Sequence, residues 1–302
     1  MRIRLNPIVK KELQVTVRSM RLSWGLFAYE GVLTMAFLLA LAVIQETTSY
    51  MSSGNIYSYL IYLFPVLAVA QVCIVALIMP IITASSISGE KERQTFDIML
   101  TTCMSPLSIV FGKVSSAVLR ILFFVAAGTP IMALSFVVGG LSWSYLFYFL
   151  LAIILLSVFS GSVGILCSSF CKRSISAVIL SFVIYFCIYI LTFLPMIFRA
   201  IFGNGNAGES MLVLLFNPGV FFEEFFMQIM TGRSIFGPEQ GSAFLSDDVG
   251  IVTYLLARGK VWMFVSAGCI LALSFLFMAL AAWKVNPMHS GAGRKPGRKK
   301  VE

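Results

Sequence analysis

Six long apolar stretches constrain the fold of this 302-residue chain more than any motif does. A helix needs about 20 apolar residues to cross the hydrocarbon core of a bilayer, and each stretch supplies that length. The chain is 59% hydrophobic and 12% charged, roughly half the charged fraction of a soluble domain. We therefore predict an all-α integral membrane protein with six transmembrane helices. The predicted spans cover about residues 22–44, 57–84, 106–138, 143–169, 175–198 and 258–283.

Basic residues collect in the segments that would share one side of the membrane. Eighteen of the 22 lysines and arginines lie before span 1, between spans 2 and 3 or early in span 3, between spans 4 and 5, or after span 6. Because such residues gather on the cytoplasmic side, we predict that both termini are cytoplasmic. This topology explains the net charge of +9 without a nucleic-acid partner.

The first 21 residues have the pattern of an amphipathic helix. Asn6-Pro7 is a helix-start pair, and apolar residues then recur every three or four positions up to Met20. We predict that this helix lies on the anionic inner leaflet, with a plain polar tail as the alternative. The basic residues that would contact the membrane surface are Lys10, Lys11, Arg18 and Arg21. We predict that residues 284–302 form a second basic cytoplasmic segment.

A polar island, Ser88–Asp97, separates spans 2 and 3 and carries five charges between Glu90 and Asp97. A charge left in hydrocarbon costs about 2.5–3.5 kcal/mol, so this island must face water or a partner. We predict a short cytoplasmic helix over residues 88–101. Ser88 would cap it, and the helix dipole would favour the glutamates near its start.

The predicted helix suits a groove on a partner protein. Arg93 and Asp97 are spaced to form an ion pair, and Phe96 and Leu100 form an apolar ridge. The alternative is a solvated loop between two spans.

The segment between spans 5 and 6, residues 200–257, contains a second ambiguous stretch at 211–231. As a seventh span it would bury Glu223 and Glu224 and break at Asn217-Pro218. We predict two short helices that are partly re-entrant or lie on the outer surface. Their buried stripe would contain Phe222, Phe225, Phe226 and Ile229, while Glu223, Glu224 and Gln228 would face water or the translocation path.

Glu30 is a carboxylate inside span 1, only two turns from its start. An intramembrane carboxylate is a candidate for a transport path. Partial hydration, or pairing with a basic residue, is the other interpretation.

The chain lacks the residues of a catalytic or phosphate-binding site. Its one histidine, His289, lies in the tail, and the pattern G-x-x-x-x-G-K-[ST] does not occur. We predict that it is not an enzyme and holds no metal or other cofactor. Ser160-Gly161-Ser162 has the small side chains of a helix-packing patch rather than a nucleophile.

Three motifs resemble those of one transporter family. They are Asn6–Glu12, Ile87–Thr102 and Ser105–Lys113, and they look like the permease subunits of ABC-2 type, or type V, ABC exporters. The resemblance implies that residues 6–21 are a connecting helix. It implies that residues 88–101 are a coupling helix, which contacts a separate ATPase subunit. It also implies that 211–231 gate the outer end.

The resemblance further implies the partners and the location of the chain. Two permease subunits, identical or not, would work with two cytosolic ATPase subunits that bind ATP and Mg²⁺, in a bacterial plasma membrane. The implied coupling residues are Glu90, Lys91, Glu92, Arg93, Phe96, Asp97 and Leu100; the candidates for path or gate are Glu30, Glu223, Glu224 and Phe225. A secondary transporter or channel, and a sensor or scaffold that transports nothing, are the alternatives.

Overall fold

A computed structural model describes residues 19–50, 59–96, 105–202, 212–235 and 261–286. Within these ranges the chain forms helices joined by turns, which confirms the all-helical prediction. The helices are α1 Met20–Tyr50, α2 Leu63–Glu92, α3 Pro106–Gly139, α4 Trp143–Phe170, α5 Ser174–Leu191, α6 Leu194–Phe202, α7 Pro218–Thr231 and α8 Val261–Val285. Six of those in the described part, α1 to α5 and α8, are long and apolar enough to cross a membrane.

Local residues set both ends of α3. The Ser105 hydroxyl accepts a hydrogen bond from the Ser108 amide at 3.3 Å, and Pro106 occupies the first turn. At the other end Gly140 has a φ of 66° and terminates the helix. A tight turn at Cys171–Arg173 joins α4 to α5.

α4 is the central helix of the bundle. In its most apolar window 67% of the residues are buried, compared with 11% for α1. Ser160 and Ser162 are fully buried, and a Cβ added to Gly161 would lie 2.8 Å from the terminal carbon of Met79 on α2. These contacts confirm the interpretation of Ser160-Gly161-Ser162 as a packing patch, since small residues let membrane helices approach closely.

The predicted fifth span, 175–198, is divided in the structure. α5 ends at Leu191, Thr192 and Phe193 form a turn, and α6 starts at Leu194. Pro195 explains the division: it has no amide hydrogen to bond back to the preceding turn, and it disfavours helical geometry in the residue before it.

The island departs most from its predicted form, because α2 continues through Ser88 to Glu92. The interpretation of Ser88 as the cap of a separate helix is therefore wrong. Its hydroxyl instead donates to the Ala84 carbonyl at 2.6 Å, inside the helix. Beyond the end of α2 at Glu92, Gln94 has a left-handed φ of 59°, and the Thr95 amide donates back to the Glu90 carbonyl at 3.0 Å. Residues 97–101 of the predicted coupling helix lie outside the described ranges.

Candidate functional site

The end of α2 is fixed to α3 by an ion pair whose lysine is buried and whose glutamate is partly exposed. The Lys113 side chain is 4% exposed, and its Nζ lies 2.8 Å from Oε1 of Glu90. The same ammonium donates to the Ser86 carbonyl at 3.2 Å. We call this end of the bundle, where α2 and α4 finish and α3 and α5 begin, the polar end.

Lys91 connects α2 to the last turn of α4. Its ammonium donates to the carbonyls of Ser169 and Ser168, the latter at 3.4 Å. It also lies 5.6 Å from the ring centroid of Phe96, within cation–π range. Phe96 is half-buried against the apolar cluster around Ile87, so it covers the end of the bundle as well as facing outward.

Glu92 connects α2 to the first turn of α5. Its Oε2 accepts hydrogen bonds from the Ser174 hydroxyl at 2.9 Å and from the Ser174 amide at 3.3 Å. The carboxylate thus caps the start of a helix that belongs to another part of the chain, where the helix dipole favours an anion.

Glu92, Arg93, Gln94 and Thr95 are exposed at the polar end. Basic side chains of the neighbouring turn, Lys172 and Arg173, are exposed there too. Glu90 pairs with Lys113, and the exposed Glu92 accepts from Ser174, so in the described part of this surface Arg93, Lys172 and Arg173 are the exposed charges without such a carboxylate partner. Asp97 and Leu100 lie outside the described residues, as does the predicted Arg93–Asp97 pair.

The predicted membrane-surface helix falls largely outside the described part of the chain. The described part begins at residue 19, after Lys10, Lys11 and Arg18. Arg21 is the second residue of α1. The Ser19 hydroxyl accepts from the Leu22 amide at 3.3 Å and so caps the start of α1.

Along the bundle axis, Glu30 lies nearer the middle of the bundle than its distance from the start of α1 suggests. Its neighbour Tyr29 packs edge-on against Phe124 of α3, with ring centroids 5.6 Å apart. Phe124 is about 27 Å along α3 from Pro106, near the middle of that helix. Oε1 of Glu30 is buried and has no hydrogen-bond partner among the described residues.

α7 lies at the opposite end of the bundle and begins at Asn217-Pro218, where the sequence predicts a break. Asn217 is fully buried; its Oδ1 accepts from the Gly219 amide at 2.8 Å and caps α7. Its Nδ2 donates to the Tyr189 carbonyl at 3.2 Å and to the Thr192 hydroxyl at 2.7 Å. This one side chain therefore joins the start of α7 to the end of α5.

The predicted buried stripe of α7 is confirmed. Phe222, Phe225 and Ile229 are buried, and Phe226 is half-buried. Phe225 meets Phe149 of α4 at a centroid distance of 6.3 Å, and Phe226 meets Phe64 of α2 at the same distance. α7 thus covers the ends of α2 and α4 with aromatic rings.

The two glutamates of α7 have different environments. Glu223 is exposed, as predicted, but Glu224 is fully buried within the chain. Its Oε2 accepts from the Ile235 amide at 2.8 Å, and its Oε1 accepts from Gln228 at 3.0 Å. Of the two predicted surroundings, water is therefore excluded for Glu224 within this chain, because the carboxylate holds the residues after α7 against the helix. Its place in a translocation path stays a prediction.

Several residues of the polar end escaped the sequence interpretation. Lys113 carries a signal, since it is a charge inside a predicted span and needs a partner. Ser168 and Ser174 carry none, because a serine in a membrane helix ordinarily bonds its own backbone. Ser168 instead accepts from the amides of Ile87 and Ser88 at 3.0 and 2.8 Å.

Among the described residues, no group of three or more histidine, cysteine, aspartate or glutamate side chains is placed to hold a metal ion. The described cysteines are free thiols.

Comparison with protein families gives one match. A family model described as ABC-2 family transporter protein matches residues 29–283, which is most of the chain. No curated protein matches the sequence.

Proposed function

Because this chain belongs to the ABC-2 transporter family as a membrane permease component, we propose that it exports a substrate when a separate ATPase subunit acts on it. The family match is the observation that carries this proposal. The permease is not itself catalytic, and the partner subunit binds ATP and Mg²⁺. The chain supplies the path through the membrane and the surface on which the ATPase acts.

The coupling surface in this proposal is the segment 88–101, with Arg93 as its central charge. Arg93, Gln94 and Thr95 are exposed at the polar end, and Phe96 is half-exposed beside them. Glu90, Lys91 and Glu92 act by holding this segment to α3, α4 and α5, since their side chains bond within the chain. Asp97 and Leu100 would extend the docking surface.

The proposed topology has the polar end and both termini in the cytoplasm. The distribution of lysine and arginine supports it, because 18 of 22 fall in segments assigned to that side. Residues 1–21, with Lys10, Lys11, Arg18 and Arg21, would lie on the inner leaflet. A bacterial plasma membrane fits this arrangement, with a second permease subunit, identical or not, beside the first.

The proposed outer gate is α7. Phe225 and its aromatic neighbours cover the ends of α2 and α4, and Glu223 faces outward next to them. Glu30 lies at mid-depth and has a buried carboxylate oxygen, so it is the proposed polar contact along the path.

Co-purification tests this function. The full chain, tagged and extracted from its native membrane, should carry with it an ATPase that contains a phosphate loop and hydrolyses ATP. Arg93→Glu and Phe96→Ala should each lower the yield of that complex about tenfold, since interface anchors commonly contribute 1.4 kcal/mol or more.

Glu46→Gln is the matched control, because Glu46 is an exposed carboxylate far along α1 from the polar end and its loss should leave the yield unchanged. If the wild-type chain purifies without such an ATPase, the export proposal is wrong. An unchanged yield for both polar-end variants would remove the coupling role of this segment.

A further inference from the structure

α5 is held at each end by a side chain from a different part of the protein. At its start, Glu92 of α2 accepts two hydrogen bonds from Ser174. At its end, Asn217 donates to the Tyr189 carbonyl and to the Thr192 hydroxyl, immediately before α7. α5 therefore spans the distance between the coupling segment and α7.

The sequence of α5 makes it a stiff connection. Its 18 residues, Ser174–Leu191, contain no glycine or proline, and an α-helix of this size is about 27 Å long. The first break in the helix is the turn at Thr192 and Phe193, where the contact with Asn217 is made. Between the ends, the Tyr185 hydroxyl shares a hydrogen bond with Ser160 of α4, which gives α5 a fixed point on the central helix.

The contact at the polar end is matched to the electrostatics of the helices. The negative Glu92 meets the start of α5, where the helix dipole is positive, and the positive Lys91 meets the last carbonyls of α4, where it is negative. Gly89 lies beside the same turn, since a Cβ added there would be 3.5 Å from the Ser174 hydroxyl. Lys91 and Glu92, which are adjacent in α2, thus bind the last turn of α4 and the first turn of α5.

We propose that α5 is a lever that carries displacement of the coupling segment to α7, with Glu92 and Asn217 as its two attachment points. Both are positioning residues, since neither needs to touch ATP or substrate. The lever rests on the proposed function, because it needs an ATPase to move the coupling segment.

The experiment reports on α7 while the nucleotide acts at the polar end. A single cysteine, Thr231→Cys, is placed at the exposed end of α7 in a chain whose six native cysteines are replaced. The chain is assembled with its co-purified ATPase in nanodiscs, and the rate of maleimide labelling is measured with and without ATP and vanadate. The lever predicts that nucleotide changes this rate.

Glu92→Ala removes the attachment at the start of α5, and Thr192→Val removes the shorter of the two hydrogen bonds that Asn217 makes at the end of α5. Both variants leave the Asn217 cap on α7 intact. Each should reduce the nucleotide-dependent change about tenfold, the size of one charge-assisted or buried hydrogen bond. The rate without nucleotide should stay at the wild-type value. The double variant should lose no more than either single variant, because both act on one lever. Ser174→Thr keeps the hydroxyl and should retain the change.

The outcomes separate the lever from the function it rests on. If the ATPase is present and nucleotide changes labelling equally in wild type and both single variants, α5 is not the connection. Effects that multiply in the double variant would also overturn the proposal, since they indicate independent routes. If no ATPase co-purifies with the wild-type chain, the proposed function fails and the lever fails with it.

Discussion

For single residues of the polar island, the sequence shows where the charges are concentrated but not which way each side chain points. The sequence predicts that the island faces water or a partner, and of its charged residues Glu92 and Arg93 are exposed. It does not predict that Glu90 turns inward to Lys113 while Arg93 remains exposed. The spacing of 23 residues between Glu90 and Lys113 depends on how α2 and α3 pack, and no local pattern encodes it.

Gly164 provides a residue-scale test of the α2–α4 contact. A Cβ there would overlap the Thr83 hydroxyl and lie 3.1 Å from the Ala84 amide nitrogen, so the backbone of α2 is in the way. We expect Gly164→Ala to destabilise the protein by about 1–3 kcal/mol, the usual cost of overpacking. A lower midpoint in thermal unfolding, followed by size-exclusion chromatography in detergent, would show it.

Gly161→Ala is the matched control on the same helix. Its new methyl group would meet the flexible end of Met79 at 2.8 Å, which can move aside more cheaply than backbone. The smaller loss should therefore belong to Gly161→Ala. Equal midpoints for wild type and Gly164→Ala would contradict the close approach of the two helices.

Among the helices, those whose ends are set by residues at the ends themselves are predictable from the sequence. The division of the predicted fifth span into α5 and α6 is not. α3 and α4 begin and end within a residue of their predicted limits, because Ser105-Pro106, Gly139-Gly140 and Trp143 act locally. The early end of α5 depends on Pro195 together with the bond from Asn217 to Thr192, which comes from 25 residues away. The aromatic stripe of α7 was predictable from its spacing, whereas the inward turn of Glu224 required the position of Ile235.

The buried carboxylate of Glu224 gives a prediction for α7 and the residues after it. Glu224→Gln replaces one acceptor oxygen with an amide donor, which would face either the Ile235 amide or the Gln228 side-chain amide. We expect the segment 232–235 to detach more often, since an unpaired buried donor costs about 1–3 kcal/mol. Tryptic cleavage after the exposed Arg233 should then be about tenfold faster in the purified protein.

Glu223→Gln, the same substitution at the exposed neighbour, should leave the cleavage rate at the wild-type value. Equal cleavage of the two variants would show that the Glu224 carboxylate does not hold the segment.

At the scale of the whole molecule, the two ends of the bundle differ in chemistry. The polar end contains the ion pair of Glu90 with Lys113 and exposed basic residues at Arg93 and Lys172. The opposite end is covered by aromatic side chains of α7, α2 and α4. This asymmetry follows from the sequence, because charge and aromatic content were read directly from it. The contacts that connect the ends through α5 depend on the three-dimensional packing.

The asymmetry leads to a prediction of orientation that single cysteines can test in intact cells. Lys172→Cys lies at the polar end, whereas Thr231→Cys and Ser142→Cys lie at the opposite end on separate elements, and all three positions are exposed. In a chain without the six native cysteines, a membrane-impermeant maleimide should label positions 231 and 142 from outside and position 172 only after permeabilisation. The two outer positions control for each other, because one belongs to α7 and the other to the turn before α4. Labelling of position 172 in intact cells would show that the protein has the opposite orientation. The proposed coupling surface would then lie on the side of the membrane that a cytosolic ATPase cannot reach.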